Sequence, residues 1–272
     1  MRDSTGYYIS GIFQQRSILV KKFHFSGNGD KWASYAVNDI VVTVLMNHHK
    51  NVMKVLGCCL DLKVPAIIYE IGINYGLLDN IGRSLSWSNR LKIAKDIANA
   101  LVYLHTAFPT PIIHTNLSTK SIVIDSNGVA KLVDFSLCVA LPPGESQVKV
   151  DTIVWATGSL DSDYLTRGII TEKSDVYMFG FILLELLTGH RPFQVDHKYH
   201  PLAEYVKNLV DKNELSKILD PIILEERGEI EHQLQAFTRL ALRCTVKRGA
   251  DRPYIMDVAK ELVRIHRSVH PI

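Results

Sequence analysis

The chain has 272 residues, 47% of them hydrophobic, which is enough to fill the core of one large two-lobed domain or two small ones and marks a globular protein. Its 31 basic and 28 acidic residues are spread along the whole length and leave a formal charge of +3, so no field of one sign points to nucleic acid. Cys58, Cys59, Cys138 and Cys244 lack metal-site spacing and argue against a disulfide framework; they read as reduced core thiols of a cytosolic protein.

The opening Met1-Arg2-Asp3-Ser4-Thr5-Gly6 has neither the apolar run of a signal peptide nor the second-position glycine that N-myristoylation needs. Short β-branched and aromatic runs follow at Tyr7-Tyr8-Ile9, Ser17-Ile18-Leu19-Val20 and Ala66-Ile67-Ile68-Tyr69, which predict the strands of a small sheet. Between them, the spacing of Tyr35, Val37, Ile40, Val41, Val44 and Leu45 predicts one helix over Ala33 to Met46. From Trp87 the period lengthens: Leu91, Ala94, Ile97, Ala98, Leu101 and Leu104 predict a long helix. Ile122-Val123-Ile124 and Val129 to Leu132 flank Asp125-Ser126-Asn127-Gly128, the turn chemistry of a tight hairpin. A loop is expected from Ser136 to about Lys173. The next helix is apolar on every side, with Asp175 and Gly189 in cap positions. Its run Phe179 to Leu187 is broken by Glu185 and falls short of the roughly 20 residues of a membrane span. Ile255, Val258, Leu262 and Ile265 define a last amphipathic helix. A small sheet with one helix followed by mostly helices is an α+β order that suits two lobes: about 1–70, a connection over about 71–82, and a helical lobe over about 83–272.

The segment Ile112-Ile113-His114-Thr115-Asn116-Leu117-Ser118-Thr119-Lys120-Ser121 resembles, register for register, the catalytic loop of protein kinases, I-I-H-R-D-L-K-x-x-N. In order along the chain come Asp134-Phe135-Ser136 for D-F-G and Asp161-Ser162-Asp163 for the A-P-E-type triplet. Ser174-Asp175-Val176-Tyr177 and Asp251-Arg252-Pro253 follow. Val55-Leu56-Gly57-Cys58-Cys59-Leu60, Ile68-Tyr69-Glu70, His105-Thr106-Ala107-Phe108-Pro109, Asp134-Phe135-Ser136-Leu137 and Thr157-Gly158 are similar to plant receptor-like cytoplasmic kinases, above all the immunity-associated pseudokinases related to ZED and RKS.

Phosphoryl transfer in this fold needs a proton acceptor, a phosphate lysine and metal ligands. At those positions stand Asn116, whose amide cannot take a proton, Ser118 in place of the lysine, and Ser121 in place of the metal-binding asparagine. Thr115 replaces the arginine that anchors a phosphorylated activation loop. A residual nucleotide pocket is implied at Lys21, Asp39, Tyr69 and Asp134. Asp39, one methylene short of glutamate, is expected to leave its ion pair with Lys21 stretched or absent, and Asp134 is the one retained magnesium ligand. Gly6 and Gly11 are the remnants of a phosphate loop whose first strand is largely missing. His48 and His49 match the turn after the regulatory helix better than a metal site. The resemblance makes His114, Asp163, Asp175 and Arg252 scaffold residues, with Asp163 pairing Arg252 in a buried ion pair.

On this reading the chain is a catalytically impaired kinase-like adaptor that requires no cofactor and retains at most weak ATP–Mg binding. The resemblance implies an NLR immune receptor and other kinase-like proteins as partners, in the cytoplasm, with recruitment to the plasma membrane through those partners. Two rivals stay open: a divergent active serine/threonine kinase, and a nucleotide-sensing regulator of an active kinase.

Overall fold

The computed structural model describes residues 5–23, 29–63, 65–70, 76–77, 85–151, 161–191 and 202–268. The expected connection over 71–82 and the Thr157-Gly158 pair lie mostly or wholly outside them. In the first lobe β1 (Gly6–Phe13) and β2 (Arg16–Phe23) form a hairpin, and β3 (Val55–Cys59) and β4 (Ala66–Glu70) complete an antiparallel sheet of order β1-β2-β4-β3. Gln14 and Gln15 have φ of 48° and 62°, the left-handed pair that matches a two-residue turn to strand twist. Helix α1 (Gly29–Leu45) packs on this sheet through Ala36, which shares a buried cluster with Tyr8, Leu19, Phe23, Ile67 and Tyr69.

After the two-residue strand β5 (Gly76–Leu77) the chain becomes helical. Helix α2 (Trp87–Thr106) starts on the Ser86 side chain, as its serine cap and apolar period require. Short strands β6 (Ile112–Ile113), β7 (Ile122–Ile124), β8 (Ala130–Leu132), β9 (Val139–Ala140), β10 (Val148–Lys149) and β11 (Ile169–Ile170) brace the loops, with α3 (Ser162–Arg167) between the last two. The segment expected as plain loop therefore carries four short elements. Helices α4 (Glu172–Thr188), α5 (Leu202–Asp211), α6 (Pro221–Cys244) and α7 (Ile255–Arg267) complete the lobe. No helix among the described residues is long and apolar enough to cross a membrane.

Asp175 does not cap α4. Thr171 does, in a reciprocal capping box with Ser174, while Asp175 points into the core one turn in. Gly189 closes the helix at φ 69°, and a Cβ there would collide with the Asp220 carboxylate. That carboxylate is engaged twice: Oδ1 accepts from the Ile222 N–H at the start of α6, and Oδ2 pairs with Arg90 of α2 at 3.0 Å, both side chains being buried. Trp87 Nε1 donates to Gln233 Oε1 at 2.7 Å, and Gln233 Nε2 donates to the Ile265 carbonyl. Polar bonds thus join α2, α4, α6 and α7 through an otherwise apolar core. Two thiols depart from the core reading, since Cys58 is exposed and Cys59 half-buried on edge strand β3; Cys138 and Cys244 are buried.

Arg252 is buried and fully bonded, to Asp161 at 2.7 Å and to the carbonyls of Lys173, Val246 and Lys247, with its guanidinium 4.5 Å from the Tyr177 ring centre. The expected Asp163–Arg252 pair is not formed. Asp163 sits in the first turn of α3 and pairs with Arg167 on the surface, whereas Asp161 caps that helix and its side chain turns inward, also accepting from Ser174 Oγ. Burial decides the energetics: Asp161→Ala strands a guanidinium and is expected to cost about 3–5 kcal/mol. Asp163→Ala removes an exposed i,i+4 pair worth under about 1 kcal/mol. Urea unfolding of both variants checks this, and a larger loss for Asp163→Ala would reverse the assignment.

Candidate functional site

The site lies where β2, α1 and the loops after β6 and β8 converge, and it is built around Lys21, which has no exposed surface. Its Nζ donates to Asp39 Oδ2 and Asp134 Oδ1, each at 2.7 Å. The expected stretched or absent Lys21–Asp39 pair is corrected by this distance. Helix α1 lies close enough to the loop for the shorter carboxylate to reach: Asp39 Oδ1 also accepts from the Phe135 N–H, and Asn38 Nδ2 faces the carbonyls of Phe135, Ser136 and Cys138 at 3.3, 3.0 and 2.9 Å. Two carboxylates around one ammonium leave a net negative charge, which buried hydrogen-bond donors must offset.

One of those donors, Asn116, stands where the catalytic base would be. Asp134 Oδ1 accepts from Ser136 Oγ at 2.5 Å and Thr5 Oγ1 at 3.0 Å as well as from Lys21, while Oδ2 accepts from Asn116 Nδ2 at 3.0 Å. Burial opposes ionisation of Asp134, but the Lys21 charge with the Lys21 and Ser136 hydrogen bonds overrides it and lowers the pKa to about 2. Ser118 and Ser121 bond each other across a single 3₁₀ turn: Ser121 Oγ accepts from Ser118 N–H at 3.0 Å and donates to the Ser118 carbonyl at 2.8 Å. The Ser121 hydroxyl is thereby engaged in the loop.

Asp175 holds this loop from beneath. Its carboxylate accepts from the backbone N–H groups of His114 and Thr115 at 2.8 and 2.9 Å and meets His105 Nε2 at 2.8 Å, all buried. Thr115 is kept at φ 63°, a costly conformation for a β-branched residue, with its hydroxyl donating to the Leu137 carbonyl. His114 lies between the Asn116 N–H, accepted at Nδ1, and the Val133 carbonyl, so the ring proton belongs on Nε2. His49 Nδ1 accepts from the Asn51 N–H, and no cluster of three metal-ligating side chains occurs among the described residues.

The apolar side of the cleft is filled by the chain itself. Tyr8 of β1, buried to 5% exposure, has its ring centre 6.5 Å from that of the fully buried Tyr69 and belongs to one cluster with Val123 and Val133. Tyr8 and Phe23 also flank the Lys21 ammonium, at 5.7 and 4.7 Å. Sequence reasoning did not single out Thr5, Tyr8 or Asn38. The period-two alternation of the first strand was the available signal, since it places Tyr8 on the face opposite Tyr7. A magnesium ion at Asp134 would have to displace the ammonium, two hydroxyls or an amide from that carboxylate.

A family model described as protein tyrosine and serine/threonine kinase matches residues 5–262. The Arabidopsis thaliana non-functional pseudokinase ZED1 is 38% identical, over 97% of this chain and 83% of its own length. Two further Arabidopsis proteins, the non-functional pseudokinase ZRK2 and the serine/threonine-protein kinase ZRK1, are each 34% identical over 96% and 95% of this chain and 76% and 77% of theirs. The chain belongs to the protein kinase family, among its ZED- and ZRK-like members. In fold it is similar to the pseudokinase domain of BIR2, an immune regulator of the RLK/Pelle family, with a TM-score of 0.75 at 24% identity over all of this chain and 82% of that one.

This ZED- and ZRK-like kinase therefore keeps the strand lysine and the Asp134 carboxylate and binds them to each other. A carboxylate whose pKa is lowered on folding stabilises the fold fully above its unfolded value near 4 and loses that contribution as pH falls toward 2. Asp134→Asn is expected to cost roughly 2 kcal/mol at pH 7. The gap to the parent should narrow steadily as unfolding is measured from about pH 5 to pH 3. A variant as stable as the parent at neutral pH would show that the cluster does not need this charge.

Proposed function

We propose that this chain is a pseudokinase that acts as an adaptor in plant immune signalling, binding an NLR-type receptor and a second kinase-like protein without transferring phosphate. The observation that carries the reading is the Asp134 carboxylate, bonded to Lys21, Thr5, Ser136 and Asn116 in a buried cluster. Asn116 is a donor there and offers the substrate hydroxyl no base. The non-functional pseudokinases among its relatives support the same reading.

Binding surfaces are available on both lobes. Val37, Val41 and Val44 form an exposed apolar stripe along α1, 48%, 50% and 52% exposed, which suits a receptor contact. Next to α1 is a cavity of about 620 Å³, lined by Tyr35, Asn38, Ser136, Val139, Lys149 and Tyr164 among others, which suits the second partner. Within the segment 136–171, Leu141 is buried and Val150 bonds Gly168, so the exposed Glu145, Gln147 and Lys149 are the positions to vary. Replacing them should weaken the second partner and spare the receptor in pull-downs; equal loss of both from a well-folded protein would refute the division. The protein works in the cytoplasm on this view, reaching the plasma membrane through its partners, with no cofactor required.

The active-kinase reading draws on ZRK1, described as a serine/threonine-protein kinase. Purified protein with ATP and magnesium or manganese is expected to show no phosphoryl transfer, and Asn116→Asp alone should not create it, because Ser118 and Ser121 still leave phosphate and metal unsupported. Thermal melts at millimolar ATP should hardly move. Robust phosphorylation that Lys21→Ala abolishes would establish the kinase, and a large magnesium-dependent thermal shift without transfer would establish the nucleotide-sensing regulator.

A further inference from the structure

We propose that the face formed by the turn after α1, by α2, by the β7–β8 hairpin and by the end of α7 docks directly onto an anionic lipid bilayer, through charge and without inserted apolar side chains. This contact requires neither a receptor nor the absence of phosphoryl transfer and is independent of the adaptor role. Packing brings the four elements together. The Asn51 carbonyl accepts from the Leu132 N–H at 2.8 Å, Asp96 of α2 accepts from the Ala130 N–H at 3.2 Å, and α7 packs along α2. Lys50, Lys92, Lys95, Lys131 and Arg267 are thereby gathered on one face.

Three of the lysines are held in place by neutral acceptors. Lys92 Nζ donates to the Gly128 carbonyl, Lys131 Nζ to the Lys50 carbonyl at 2.6 Å, and Lys95 Nζ to His266 Nδ1 at 3.0 Å. An ammonium has three N–H groups, so each keeps donors for an anion beyond these bonds. The Lys95 ammonium is held below the usual lysine range, first by partial burial and then by the charges of Lys50, Arg267 and Lys92, against the pull of Asp96. Carboxylates do not balance the group. Among the described residues none lies within ion-pair distance of Lys50, Lys92, Lys95 or Arg267, while Asp96 is buried and Asp125 sits 3.9 Å from Lys131. Five cations against these two carboxylates leave +3, the formal charge of the whole chain.

A bilayer suits this face better than a protein does. The centre of a protein interface is depleted of lysine and built on aromatic and large apolar side chains. Here four of the five cations are lysines. Among the described residues no large hydrophobic side chain is exposed on the turn 47–51, on α2, on the β7–β8 hairpin or in the last turn of α7. Lysine is a compact point charge that binds phosphate without needing a planar partner. An anionic bilayer attracts every lysine or arginine held near its surface, and the contributions accumulate over a cluster. Binding also relieves the crowding of Lys92 and Lys95, like charges about one turn apart on α2.

Co-sedimentation of the purified chain with vesicles tests this directly. Phosphatidylcholine vesicles carrying phosphatidylserine and phosphatidylinositol bisphosphate are expected to retain the protein, and pure phosphatidylcholine vesicles are not. Retention should fall as salt is raised, because the attraction is screened. Lys50→Gln combined with Arg267→Gln, both exposed, should lower the partition coefficient at least about tenfold with the melting temperature unchanged. Lys207→Gln combined with Lys212→Gln, the same loss of charge on and beside α5, should change it little. No retention on the anionic vesicles, retention indifferent to salt, an equal loss in both double variants, or tighter binding to a DNA duplex or a multiply phosphorylated peptide than to the vesicles would overturn the proposal.

Discussion

The buried Lys21 ammonium, shared between Asp39 and Asp134, is the interaction on which the rest of the structure depends. Burying one cation among two anions is unfavourable until enough donors surround the excess negative charge. In a phosphotransferase, metal ions supply that charge at the aspartate. Here Ser136, Thr5 and Asn116 supply hydrogen bonds in its place. Asn116, which reads as a loss at the position of the catalytic base, is thus one of the donors that let Asp134 stay ionised while buried. Restoring Asp at 116 would put a second carboxylate against Asp134 and remove a donor, so a single reversal disturbs the cluster before it helps the chemistry.

The same logic separates what this chain keeps from what it has exchanged. Asp175 under the loop, Arg252 against Asp161 and Arg90 against Asp220 are buried groups whose partners are also buried, so removing one member strands the other. They determine where helices and loops sit. Asn116, Ser118 and Ser121 have been reassigned from reacting groups to local bonds that hold the loop. A fold with its anchors intact and its reacting groups internally satisfied presents a defined surface, which is the requirement of a binding protein.

Much of this was legible in the sequence because motif order set the register. The match of Ile112 to Asp125 to the catalytic loop placed Asn116, Asp134-Phe135-Ser136 placed Asp134, the strand run Leu19 to Phe23 placed Lys21, and the 3.6-residue period located α2, α4 and α7. What remained hidden depended on distances between elements. Asp39 looked too short for Lys21 because helix approach is a property of packing, here drawn in by Asn38 and the Phe135 N–H. Asp161 and Asp163 are chemically identical, and only the cap geometry of α3, which turns one inward and the other to Arg167, distinguishes them. Arg90 gave no signal, since a lone arginine in an amphipathic helix normally faces water. Cys58 was read as core from its residue type, but β3 is an edge strand and one of its faces meets solvent.

The cluster also decides how the lobes relate. In a kinase that closes around nucleotide, the relative position of the lobes varies with occupancy, and a partner touching both must bind one state out of several. In this chain Thr5, Lys21 and Asp39 of the first lobe bond Asp134 and Phe135 of the second directly, and Asn51 of the first adds bonds to Ala130 and Leu132. Direct bonds of this kind tie the two lobes to each other. A partner that spanned both lobes would then meet its surface already arranged, and its affinity would not be reduced by time the lobes spent apart.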